Sequence, residues 1–147
     1  MSSENTDRLF EYLRSTLYGA EPPSLDLGAL DEEHQKLGMG LVMLNKFLRE
    51  MRAYSHALAT GNLSAIPPRR ENPLCENLKG IHSNLNHLTW QAKQVAKGDY
   101  SQTVSYLGEF SEAFNSMTAQ LREREESLRR EAFLEKKHSE MADKYNK

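Results

Sequence analysis

Apolar side chains recur between residues 37 and 58 at alternating steps of four and three: Leu37, Leu41, Leu44, Leu48, Met51, Ser55 and Leu58. The same spacing returns at Leu74, Leu78, Ile81, Leu85, Leu88, Ala92 and Val95, each position displaced by thirty-seven. A seven-residue repeat of this kind draws one apolar seam along a helix and favours left-handed supercoiling against partner helices. Similar punctuation closes each series, Ala59-Thr60-Gly61-Asn62-Leu63-Ser64 in the first and Ala96-Lys97-Gly98-Asp99-Tyr100-Ser101 in the second. An isolated apolar residue follows each, Ile66 and then Val104. A third series, Phe110, Phe114, Met117 and Leu121, continues at Leu128 after a polar interruption at Arg124 and aligns with the second at a shift of thirty-six. The pattern predicts helix, connector, helix, connector, helix, with the middle helix shared by two units.

Local signals place the ends. Leu9, Leu13 and Leu17 share one face of a short helix over Asp7 to Tyr18 that stops at Gly19. Pro22-Pro23 and Ser24 mark a loop from Ala20 to Leu27, and the next helix is expected to start between Asp26 and Asp31 and run to about Thr60. Gly38 and Gly40 weaken it locally, by roughly 1 kcal/mol each relative to Ala. Asn72 is a suitable N-cap and Pro73 a suitable first residue for a middle helix reaching Lys97. Glu109 stands in the first turn of the last helix, where negative charge complements the helix dipole. Leu134, His138, Met141 and Tyr145 resume a four-three spacing out of register with Leu121 and Leu128. That segment reads either as a coiled-coil discontinuity or as a fraying end. The expected organisation is an N-terminal helical input segment at 1–36, a first unit at 37–72, a second at 73–128 and a charged C-terminal helix at 129–147.

Composition supports an all-α protein and narrows its chemistry. The chain has 147 residues, 38% of them hydrophobic and 27% charged, and its five prolines leave long stretches free of helix breakers. A formal net charge of -2 gives nucleic acid no electrostatic footprint. No apolar run approaches a membrane span, and the single cysteine, Cys75, excludes an internal disulfide framework; a cytoplasmic location is expected.

No phosphate loop, dinucleotide fingerprint or metalloprotease helix is present, so no catalytic residue, metal site or cofactor is expected. Gly98-Asp99 reads as a helix terminator and turn rather than a phosphate or metal loop. His82 and His87 are five apart, unsuited to a metal pair on one helical face, and are expected as solvated or interface histidines. His138 lacks the proline and ATP-binding lobe of a phosphoacceptor and reads as exposed. Cys75 reads as a small packed or partly exposed thiol. Trp90, Tyr54 and Tyr100 are expected in flank and core packing before any ligand pocket, and Met39, Met43, Met51 and Met117 as adaptable core fillers.

The stretch from Pro73-Leu74 through Gly98-Asp99-Tyr100-Ser101, Val104, Gly108-Glu109-Phe110 and Phe114-Asn115-Ser116-Met117 resembles a HAMP domain over about 50 residues. Residues 37–87 look like a second, more divergent copy without the terminal Phe-Asn-x-Met element. The neighbourhood of Trp90 also resembles input regions of bacterial diguanylate cyclases and sensor histidine kinases. The resemblance implies parallel homodimeric four-helix bundles that relay conformational change from an input to an output enzyme in cis. It implies connector anchors at Tyr100 and Val104, with Leu63 and Ile66 as first-unit equivalents, and sharp helix exits at Gly61 and Gly98. It implies core positions at Leu78, Ile81, Leu85, Leu88, Phe110, Phe114, Met117 and Leu121, with Glu109 opening the second helix. HAMP units usually follow a transmembrane helix, and none is evident here, so the input would come from the N-terminal helices or a partner. Output motifs are also missing, and the chain ends within a charged helix, as expected of a fragment.

Two function classes follow. In the first, the chain is a non-catalytic relay of a bacterial cytosolic signalling protein, a homodimer whose imperfect core positions, Ser55, Ala92 and Arg124, allow two packings. In the second, it is a monomeric helical sensor with a small-molecule pocket.

Overall fold

The structure, a computed structural model, describes residues 2–69 and 71–147. Four helices carry it: α1 (Ser2–Tyr18), α2 (Glu32–Ala59), α3 (Glu76–Ala96) and α4 (Glu109–Tyr145), with 3₁₀ turns at Leu27–Ala29 and Pro73–Cys75. There is no strand among the described residues, and none of their helices is long and apolar enough to cross a membrane. The chain divides into two compact units, Met1–His82 and Ser83–Lys147.

The predicted boundaries follow from the capping chemistry. Asp31 caps α2, its Oδ1 accepting the His34 N–H at 3.0 Å. The His34 ring holds the Asp31 carboxyl below the usual carboxylate range. Asn72 accepts the Leu74 N–H at 3.1 Å, but the turn it caps is 3₁₀ before the chain becomes α-helical at Glu76. α1 starts at Ser2, five residues before its expected start. α4 runs without a break to Tyr145, about 55 Å at 1.5 Å per residue, with every side chain from 126 onward exposed.

Within the first unit, α1 and α2 run in the same direction. Asn5, near the start of α1, donates to the Asp31 carboxylate at the start of α2. At the other end, the Arg52 guanidinium donates to the carbonyls of Thr16 and Leu17 at 3.2 and 2.9 Å. The α1 packing face is Asn5, Leu9, Tyr12 and Thr16, while Leu17 is exposed. Gly38 serves the connector rather than a helix–helix approach: a Cβ there would stand 2.8 Å from Leu27 and 2.9 Å from Leu30. Leu30 is thereby seated and buried.

The first turns of α3 also run parallel to α2. Asn72 Nδ2 donates to Phe47 O at 3.0 Å, and ten residues on His82 meets Tyr54. In the second unit, Gln91 lies beside Tyr106 just before α4, while Arg122 donates to Tyr100 O just after α3. That pair is parallel as well.

Burial repeats with the sequence period. The buried residues of α2 are Gly38, Asn45, Tyr54 and Leu58; thirty-seven positions later Cys75, His82, Gln91 and Val95 are buried. At 100° per residue, Gly38 and Asn45 sit about 180° around α2 from Tyr54 and Leu58. α2 therefore packs against α1 on one face and, further along, against α3 on the opposite one. The Leu37–Leu41–Leu44–Leu48 seam falls about 90° from both. Intrachain packing covers it only in part: Leu37 is 57% exposed and Leu44 is also exposed, while Leu41 and Leu48 are half-buried.

Candidate functional site

Both helix exits are built from the same backbone device. Gly61 (φ 78°) and Gly98 (φ 95°) take the left-handed conformation that a Cβ penalises. The Gly61 N–H donates to Leu58 O at 3.0 Å and the Asn62 N–H to Ala57 O at 2.8 Å. At the second exit, Gly98 N–H reaches Val95 O at 2.9 Å and Asp99 N–H reaches Gln94 O at 3.0 Å. These paired bonds satisfy carbonyls that the end of a helix would otherwise orphan. The next residue turns the chain: Asn62 Oδ1 accepts the Ser64 N–H and Asp99 Oδ1 the Ser101 N–H. Asp99 also accepts the Ser101 hydroxyl and the Gln102 amide, and these bonds, Ser101 first, hold its carboxyl below the usual range. The matching Gly-Asn-Leu-Ser and Gly-Asp-Tyr-Ser marks are thus two copies of one turn.

Beyond the turns the two junctions differ. At the second, Val104 is 1% exposed and packs with Val95 and Phe114, flanked by Leu88, Tyr100, Tyr106, Leu107 and Leu121. The Asn115 carboxamide clasps the Val104 backbone, Oδ1 accepting its N–H and Nδ2 donating to its carbonyl, both at 2.8 Å. Gln91 ties the connector to α3, donating to Thr103 O at 2.6 Å and accepting from the Tyr106 hydroxyl at 2.9 Å. The Ser111 hydroxyl accepts the Leu107 N–H where the chain enters α4 at Glu109. Asn115 lies inside the Phe-Asn-x-Met mark, but its clasp, like the role of Gln91, was not part of the sequence reading.

At the first junction, Tyr54, Leu58 and Cys75 form the buried cluster, with Met51, Leu63 and Leu78 against it. His82 narrows the sequence expectation. It is 7% exposed, so it is not solvated; of the two expected places it takes the interface, between helices of one unit, with both ring nitrogens engaged. Nε2 lies 2.8 Å from Leu63 O and Nδ1 2.7 Å from the Tyr54 hydroxyl. A carbonyl can only accept, so Nε2 carries the hydrogen in the neutral ring and Nδ1 accepts from Tyr54. The bridge joins α2, the connector and α3. Cys75 is fully buried, and burial, then the nearby Glu50 charge, pushes its thiol pKa up and away from nucleophilic chemistry.

Ile66 is a correction. Expected as the counterpart of Val104, it is 89% exposed in the chain. The thirty-seven-residue period in fact sets Ile66 opposite Thr103, which is also exposed, and Pro67 opposite Val104. Pro67 is exposed too, so the first connector seats no side chain at the place Val104 occupies in the second.

The remaining expected core residues split into two groups. Phe114 is buried, and Leu63, Leu78, Leu85, Leu88, Tyr100 and Leu121 are half-buried. Ile81, Phe110 and Met117 are about half exposed. In the second unit Leu88, Ala92, Ala96, Phe110 and Phe114 line an open apolar groove of about 420 Å³. Trp90 is 52% exposed on the connector side of α3, where His87 stacks on Tyr106. No cluster of three or more potential metal ligands occurs among the described residues. No family model, no characterised protein and no solved structure matches the chain.

Proposed function

We propose that the chain is a non-catalytic signal relay that works as a parallel homodimer, its helix–connector–helix steps acting as HAMP-like units in series. The observation that carries this reading is the partly covered seam. Intrachain packing uses faces of α2 that lie to either side of Leu37, Leu41, Leu44 and Leu48, and it leaves this regular apolar pattern only partly covered, with Leu37 and Leu44 exposed and Leu41 and Leu48 half-buried. In the second unit Ala92, Phe110 and Met117 on the corresponding stripe are exposed as well, beside half-buried Leu88. Burying a leucine or phenylalanine side chain contributes roughly 1.5–3 kcal/mol, so a second copy presenting the same seam is a strong source of stabilisation. Parallel order within the chain lets a symmetric copy align seam with seam.

Relay follows from how the helices are shared. α2 serves α1 and α3 on opposite faces, so rotation of α2 alters both contacts together. An input that binds one packing better shifts the population by its differential affinity. On this reading the chain belongs to a bacterial cytosolic signalling protein and hands its state to an output domain in cis.

Light scattering coupled to size-exclusion chromatography over a concentration series tests the assembly. The expected mass is about twice 16.8 kDa, and Leu85→Cys is expected to form a symmetric disulfide across the parallel seam. A concentration-independent mass of one chain would remove the dimeric relay.

A further inference from the structure

We infer that the groove between α2 and the following connector in the first unit is a binding site for a small, planar, aromatic anion. The two junctions are copies of one scaffold, and they treat the same space differently. In the second unit that space is filled by rings: His87 and Tyr106 stack at 5.4 Å and 6°, and Trp90 lies 6.3 Å from His87. Thirty-seven positions earlier the corresponding residues are Glu50, Arg69 and Ala53. With alanine in place of the tryptophan, the space is a wide, solvent-open groove of about 560 Å³. Its walls include Lys46, Glu50, Ala53, Ala57, Pro67 and Arg69. That volume accommodates one small ring system lying against the wall.

The chemistry of the walls selects the occupant. Ala53, Ala57 and Pro67 offer apolar surface in the space where the sister junction stacks aromatic rings. Lys46 and Arg69 supply two positive charges, and among the described residues neither takes part in an ion pair. The single acid, Glu50, is engaged by Asn72 Nδ2 at 2.9 Å. A flat ring system carrying one carboxylate therefore meets both the apolar surface and the net positive rim. Tyr54 also lines the groove, and its hydroxyl is the one bonded to His82. An occupant thus lies over a side chain that bridges α2 and α3. The site deepens the relay reading by giving it an input, yet every wall residue comes from one chain, so binding does not depend on dimerisation.

The test is isothermal titration of the full chain with indole-3-acetate, neutral indole and cationic tryptamine. Indole-3-acetate is expected to bind saturably, one per chain, with indole at least about tenfold weaker and tryptamine weaker still. Ala53→Trp, which places in the groove the ring that Trp90 places in the sister junction, is expected to abolish binding with the circular dichroism spectrum unchanged. Lys46→Gln and Arg69→Gln, on the exposed rim, should each weaken indole-3-acetate by about tenfold and leave neutral indole unaffected. No saturable binding by any of the three, equal binding of all three, or undiminished binding to folded Ala53→Trp or to Lys46→Gln would overturn the proposal. A monomer that binds keeps the site and removes the dimeric relay; a dimer that binds none of the probes does the reverse.

Discussion

The first and second junctions share a helix exit, a turn and a period, but each fastens its connector with different chemistry. At the second, an apolar side chain is seated: Val104 lies in a cluster with Val95 and Phe114, and the Asn115 carboxamide satisfies both backbone groups of the seated residue. At the first, no apolar residue beyond Leu63 is seated in this way among the described connector residues; the joint is polar, with buried Asn72 tied to Phe47 O and Glu50 and a chain of groups running from Tyr54 through His82 to Leu63 O. An apolar seat tolerates changes of pH and salt, because its stabilisation comes from area removed from water. A polar bridge depends on direction and on the tautomer of one ring. The same scaffold thus carries one fixed joint and one adjustable joint, and the adjustable joint borders the open groove.

The largest expected effect comes from removing the seat. Val104→Ala deletes two methyl groups from a site that is 1% exposed, and should cost about 2 kcal/mol in urea unfolding. Ile66→Ala, at the position sequence reading paired with it, should change stability by less than about 0.5 kcal/mol. Equal costs would show that the two connectors are held alike and would dissolve the comparison. Next comes the polar joint. Tyr54→Phe keeps the ring but removes the hydroxyl that His82 Nδ1 accepts from, leaving a buried nitrogen without its donor; a loss of about 1–2 kcal/mol is expected. Retention of full stability would mean that the bridge is not what holds the first connector.

The smallest effect sharpens the difference between the two turns. Asp99 is ionised and hydrogen-bonded where its counterpart Asn62 is neutral. Its folded pKa lies below the usual 3.8, so the stability it contributes is present above that value and is lost as pH falls through the lower folded pKa. Thermal unfolding should show Asp99→Asn less sensitive than wild type to acid below about pH 4, with little difference at neutral pH. Because the carboxylate is fully exposed, the effect is confined to that acid window.

Much of this architecture was legible in the sequence because it is written in residues with few alternatives. Asp31, Asn72, Gly61 and Gly98 mark helix ends by satisfying or releasing backbone groups, and the ends of α2, the end of α3 and the start of α4 fall within one or two residues of expectation. The faces that fold one chain were not legible, because they are built largely from small and polar side chains: Gly38, Asn45, Cys75, His82, Gln91, Ser111 and Thr118. Apolar periodicity finds the seam facing away from the rest of the chain and passes over these. Ile66 differs from expectation because the first connector seats no residue where the second seats Val104: Ile66 and Pro67 are both exposed. The engagement of His82 was not legible because its partners, Tyr54 and Leu63, lie 28 and 19 residues away in sequence.

Arg52 has a consequence for the N-terminal helix. The last turn of α1 contains no basic residue of its own, and the carbonyls of Thr16 and Leu17 are met by a guanidinium that belongs to α2. The Gly19 N–H closes on Ser15 O at 2.8 Å, but the next two carbonyls are met by the neighbouring helix, so docking adds to the stability of that turn. If α1 lifts away, its last turn loses the two bonds to Arg52 and frays more readily, lengthening the tether around Tyr18 and Gly19. Detachment would then register as a change in chain length between α1 and α2, and not only as a change in where α1 sits.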